Sequence, residues 1–292
     1  MQPAQPAVPV KASLDHLGAI VNDLAAGAAR WEKLGFLLSP VSRQRGRMPD
    51  RNDDGPWATA NRCAILKQGY LELIGVVEPA LFNPWSKFLG RFEGLHLLAL
   101  RVPEADAAFA QLAKHTDTLN EPVQRSRNLD VGGREETMRF RNIFSRDEAY
   151  PEGRYIVLEH QTPEYLWQPR YQAHPNGAIA LQGALVAADD VEAQRKRLET
   201  VTGVPAARGQ DGVLRLTPWG GGVIELFDAV TFEKRYGWRP AALPCFAGVE
   251  VRFADRAQAA KLMEDNGVPV RRGEEWLVAP EHTNGFLLRL AQ

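Results

Sequence analysis

"LDHLGAIVND", residues 14–23, is an apolar strand that runs straight into an acidic turn, and its recurrence along the chain decides the fold. It is followed by "LAAGAARWEKL" and Gly35. Leu24, Ala28, Trp31 and Leu34 fall on one face at 3.6-residue spacing, Asn22 or Asp23 is placed to cap the open N–H groups, and the glycine ends the helix. The same phrase returns as "GLHLLALRV" with a helix opened by Pro103 that turns Phe109 and Leu112 inward. A third copy is "AIALQGALVA" with Asp189 or Asp190 as cap and Gly203 as stop, and a fourth is "FAGVEVRF" with Asp255 and Gly267. Each copy closes with strands, the last being "YLELIGV", "YIVLEHQ", "VIELFDA" and "GFLLRLA" in turn.

The pattern predicts an α+β fold of four βαβββ modules over residues 12–80, 92–166, 175–232 and 243–292, the last with the fewest strands. Two modules make an N-terminal domain, 12–166, and two a C-terminal domain, 175–292, separated by the Pro- and aromatic-rich "TPEYLWQPRYQAHPNG". The segment "SRQRGRMPDRNDDGPWATAN", residues 42–61, has many charges and no period, and reads as a loop or lid.

Bulk composition narrows the function. The 292 residues are 45% hydrophobic and 24% charged with a net charge of −1, so no basic stripe marks a nucleic-acid partner. No apolar run approaches the roughly 20 residues of a membrane span. "MQPAQPAVPVK" lacks the layout of a secretory signal, which makes it a loose arm and the expected location the cytoplasm. Cys63 and Cys245 stand far apart, outside disulfide or thiolate-zinc spacing.

Repeat positions can be compared within the chain. His16 lies seven residues before Asp23 and His96 seven before Pro103; the same count gives Gln182 and Gly248 in the later modules. The last strands place Glu72, Glu159, Glu225 and Arg289 at the matching site. Strand alternation turns Leu71 and Leu73 to the helix side, and so Glu72 to the other. By the same rule His96 opposes Leu95 and Leu97, Glu159 opposes Leu158, and His160 points away and is structural. His16, Glu72, His96 and Glu159 would thus make a near-neutral divalent-metal site, which would answer the cost of a carboxylate in a buried strand. Nitrogen and oxygen donors suit zinc, nickel, manganese, cobalt or ferrous iron alike. Asn61 and Arg62 lead into the strand paired with "YLELIGV", and Arg139 and Arg141 share a face of "TMRFRNIF"; these are candidates to bind a substrate carboxylate, with Trp57 as an aromatic wall.

With "LDH", "LEL", "GLH" and "LEH" in this order, the chain resembles the vicinal oxygen chelate superfamily, in its glyoxalase-like branch, over nearly its whole length. "TANRCAILKQGYLELIGV" and "TPEYLWQP" with "HPNGA" look like two-domain glyoxalase-like proteins of bacteria. The resemblance implies two incomplete barrels, a metal bound by His16, Glu72, His96 and Glu159, and a small substrate that chelates it through adjacent oxygens. It implies a lyase or isomerase in which the metal stabilises an enediolate and Glu159 or Glu72, with Glu159 preferred, moves the proton. Extradiol dioxygenases share the four-module layout but use the C-terminal pair, where this chain has Gln182, Gly248 and Arg289. A ring-cleaving dioxygenase and a non-catalytic small-molecule or drug-binding protein are the alternatives. The expected assembly is a monomer or homodimer.

Overall fold

A computed structural model describes residues 10–50 and 53–292. Residues 1–9 of the expected arm, "MQPAQPAVPVK", and two residues of the expected lid, 51 and 52, lie outside the described residues.

The first module is β1 (Ser13–Val21), α1 (Leu24–Lys33), β2 (Ser42–Arg47), β3 (Asp54–Ile65) and β4 (Tyr70–Val76), followed by the short α2 (Ser86–Leu89). The second is β5 (Gly94–Arg101), α3 (Ala105–Leu112), β6 (Val123–Val131), β7 (Arg134–Phe144) and β8 (Arg154–His160), followed by α4 (Pro163–Leu166). The third is β9 (Ala178–Ala188), α5 (Val191–Thr202), β10 (Ala207–Arg208), β11 (Leu214–Leu216) and β12 (Val223–Asp228), and it ends in a helix the repeat did not foretell, α6 (Ala229–Tyr236). The fourth is β13 (Cys245–Phe253), α7 (Arg256–Asp265), β14 (Trp276–Val278) and β15 (Leu287–Ala291).

The strands form two curled sheets, in the order β2-β3-β4-β1-β5-β8-β7-β6 and β10-β11-β12-β9-β13-β15-β14. In the first, third and fourth modules the first and last strands run parallel, as β1 and β4 do from His16 opposite Tyr70 to Val21 opposite Gly75, because a helix crosses between them. The fourth module has one strand fewer than the rest among the described residues.

Aspartate caps fix where three of the first-strand helices begin. Asp23 accepts from the Ala25 and Ala26 amides, Asp190 from Ala193, and Asp255 from Ala257 and Gln258. In the second module the cap is Glu104, one residue past Pro103, and its own side chain bonds no helix amide. The segment expected as a lid is instead a hairpin, with β2 antiparallel to β3 and a bulge between Arg43 and Arg45. Ladder hydrogen bonds hold it, and these leave no mark on hydrophobic period; Gly46 makes room for the Trp57 ring, since a methyl there would lie 2.2 Å from Cζ2.

By proximity the chain groups into two bodies. Among the described residues, one contains 16–50, 53–97, 167–182 and 246–292, and the other 10–15, 98–166 and 183–245. In the first, Trp31 of α1 donates to the Thr283 carbonyl at 3.1 Å, Arg30 donates to Asn284, and Asn266 donates to the Lys33 carbonyl. In the second, α3 packs on β7 and β8, and α5 on β11 and β12.

Candidate functional site

β4 sets the geometry. A methyl on Gly27 of α1 would meet Leu73 Cδ2 at 3.2 Å, so Leu73 faces the helix and Glu72 faces away from it. Glu72 is opposite Gly18 on one side and Cys63 on the other. His16, Tyr70 and Asn61 stand two residues from these rungs and share their side.

The four polar side chains meet. Asn61 Nδ2 donates to Glu72 Oε1, and Glu72 Oε2 stands 3.6 Å from His16 Nε2. Tyr70 Oη lies 3.4 Å from the same nitrogen, and its ring stacks on the imidazole at 4.2 Å between centroids and 17° between planes. Trp167 meets Tyr70 edge-on at 6.2 Å. His16, Asn61, Tyr70 and Glu72 are all buried. Asn61 therefore satisfies one carboxylate oxygen directly. The gap between the other oxygen and His16 is too long for a hydrogen bond, and leaves an acceptor, an imidazole and a phenol around one point. Tyr70 was absent from the sequence-based set, although its place two residues before Glu72 on a strand puts it on the same face.

The other expected ligands are engaged elsewhere. His96, fully buried, rests against Phe92 and Phe88, with its ring 4.3 Å from the Phe92 ring, and its Nε2 is 2.9 Å from the Phe92 carbonyl. Burial, more than the opposing Phe92 hydrogen bond, lowers its pKa from 6.5 to about 4. Nε2–H is then the donor to the carbonyl, and Nδ1 has no hydrogen-bond partner among the described residues. Glu159 accepts from the Ala105 amide at 3.0 Å, at the first turn of α3. His160, expected to be structural, pairs with the buried Asp15 at 3.1 Å.

The expected substrate contacts also scatter. Arg62 donates to the Ser39 carbonyl at 2.9 Å and to Glu32 of α1 at 2.8 Å, on the helix side of the sheet. Arg141 makes a two-point contact with Asp106 of α3 at 3.1 and 2.9 Å, which holds the Asp106 carboxyl below its ordinary range. Arg139 is exposed on the same strand. Trp57 keeps its ring half-buried over Gly46, with Nε1 buried and unpartnered among the described residues. Asn61 of this set bonds Glu72.

Residues 14–202 match the family described as glyoxalase-like domain. The chain belongs to the glyoxalase-like domain family. No curated protein matches it. Among solved structures, the glyoxalase-like chain is similar to a hypothetical protein from Staphylococcus aureus, with a TM-score of 0.63 at 10% identity, over 96% of this chain and 98% of that one. It is also similar to a variant of 4-hydroxymandelate synthase from Streptomyces coelicolor, with a TM-score of 0.56 at 11% identity, over 97% and 92% of the two chains. A xylose isomerase-like TIM barrel/4-hydroxyphenylpyruvate dioxygenase fusion protein gives 0.57 at 13% identity, over 99% of this chain and 50% of that one. These likenesses bear on the fold, and they agree with the vicinal oxygen chelate architecture of two curled sheets. No helix among the described residues is long and apolar enough to cross a membrane.

Members of this superfamily commonly use divalent metals. A four-donor centre needs its side chains around one point, and here His16 and Glu72 are adjacent, His96 is turned to the Phe92 carbonyl, and Glu159 is turned to α3. Among the described residues, no group of three or more His, Cys, Asp or Glu is placed to hold a metal ion. The residues present in this glyoxalase-like chain do not fit that centre.

Proposed function

We propose that this glyoxalase-like protein binds a small molecule over the cluster of His16, Asn61, Tyr70 and Glu72, and holds it by hydrogen bonds and ring contacts. The observation that supports this reading is the half-satisfied carboxylate: Asn61 takes one oxygen of Glu72, while the other stands 3.6 Å from His16 beside the Tyr70 hydroxyl. A carboxylate oxygen in this position favours a ligand that brings its own O–H or N–H, since a hydrogen bond to a charged acceptor is stronger than one between neutral groups. The stacked His16 and Tyr70 rings, with Trp167 beside them, suit a ligand with a flat unsaturated face.

The lyase or isomerase reading, with Glu72 or Glu159 as base, rests on the family. Its preferred base, Glu159, is engaged by the Ala105 amide. The ring-cleaving dioxygenase reading needs three converging metal donors. Neither gains support from the geometry.

A thermal-shift screen of small hydroxylated and aromatic compounds, followed by calorimetry on the hits, tests the proposal. Glu72→Gln and Tyr70→Phe are expected to weaken a hit roughly tenfold or more, because each removes a group the ligand must meet. Arg141→Ala, whose guanidinium is engaged by Asp106 of α3, leaves it unchanged. Hits that bind Glu72→Gln as tightly as the parent would overturn the reading.

A further inference from the structure

Position 97, on β5, is where the second module would offer what His16 offers in the first, and it holds a leucine. Counting back seven residues from the observed cap, Glu104, reaches Leu97 and not His96, just as seven back from Asp23 reaches His16. An independent measure of place agrees. A methyl on Gly18 would stand 2.9 Å from Leu97 Cβ and 3.0 Å from its Cδ2. Gly18 is the ladder partner of Glu72 and lies two residues beyond His16 on the same side of β1. Leu97, 1% exposed, therefore covers this rung on the side of His16 and Glu72. His96, the next residue along an alternating strand, turns the other way.

We infer that this one-residue offset breaks the metal set of the fold family in this chain, and that Leu97→His would restore a three-donor site with His16 and Glu72. The unaltered protein then holds no divalent cation there. Two imidazoles and one carboxylate with an open position form the usual donor set of open zinc sites. His16 and Glu72 alone, with one Glu72 oxygen already taken by Asn61, would leave most of the coordination of a buried ion unmet, and such burial is costly. A histidine at 97 supplies the missing neutral nitrogen without adding charge.

The test uses the full chain and cobalt(II) as a spectroscopic stand-in for zinc, whatever small molecule the face binds. Elemental analysis of the unaltered protein, purified without chelator, is expected to find no stoichiometric divalent metal, and cobalt titration no saturable visible bands. Leu97→His is expected to bind one equivalent of cobalt with tetrahedral absorption, and to lose it when His16→Ala or Glu72→Gln is added. Leu97→Cys, smaller and a thiolate donor at the same point, gives the same reading should the histidine variant fail to fold. One equivalent of metal in the unaltered protein that disappears with His16→Ala would overturn the inference. So would a folded Leu97→His or Leu97→Cys protein that binds no cobalt. Ligand binding by Glu72→Gln, a separate measurement, decides the proposed function independently of either result.

Discussion

His96 shows how a side chain suited to one task can be committed to another. Burial lowers its pKa to about 4 against 6.5 in the unfolded chain. Above pH 6.5 both states are neutral and its contribution is complete. As pH falls from 6.5 toward 4 only the unfolded chain takes up the proton, so stability is lost across that window and levels off below it. Between pH 7 and pH 5 the expected loss is about 2 kcal/mol. Urea unfolding at the two pH values measures it, and His96→Leu should flatten the difference. His174, whose pKa burial also lowers, contributes in the same direction, and His96→Leu leaves that part in place. An unchanged pH dependence in His96→Leu would place the proton uptake elsewhere. Glu72 is a contrasting residue: its burial is answered by Asn61, so Asn61→Leu is expected to cost about 1–3 kcal/mol by stranding a carboxylate oxygen.

At the scale of elements, α3 is started by a strand. The other long first-strand helices begin with an aspartate that bonds their first amides, whereas Glu104 does not, and Glu159 of β8 reaches the Ala105 amide in its place. Glu159→Ala is expected to cost about 1 kcal/mol in chemical denaturation, with Gln recovering part of it through its amide oxygen. Hydrogen exchange should locate the loss in the first turn of α3; unaltered exchange there would refute the capping role. The same detail explains what could be read beforehand. The modules were legible because apolar strand, acidic cap and glycine stop recur with their periods intact. His16 and Glu72 were legible because one module supplies both on neighbouring strands. The second half of the site was not, since Pro103 and Glu104 both make plausible helix starts, and a shift of one residue on a strand reverses every side chain. The hairpin departs from the expected lid for a different reason: "SRQRGR" is an edge strand whose arginines give no apolar alternation.

For the whole molecule, the first and last modules share one body. Trp31, Arg30 and Gly27 of α1 bond Thr283 and Asn284, which lie more than 250 residues further on. Asn284 also has a positive φ of 72°, a backbone state glycine tolerates and alanine resists. Asn284→Gly is therefore expected to lose about 1–3 kcal/mol from its side-chain bonds alone. Asn284→Ala should lose more through its backbone, and equal stability of the two variants in thermal melts would argue against strain at this turn.

The bond between Trp31 and Thr283, separated by 252 residues, also sets a timetable for biosynthesis. At roughly 5–20 residues per second, the apolar face of α1 leaves the ribosome about 13–50 s before its partner has been made. A helix made before its partner is completed only when that partner arrives, and in that interval the nascent chain presents the indole of Trp31 to whatever chaperone is at hand.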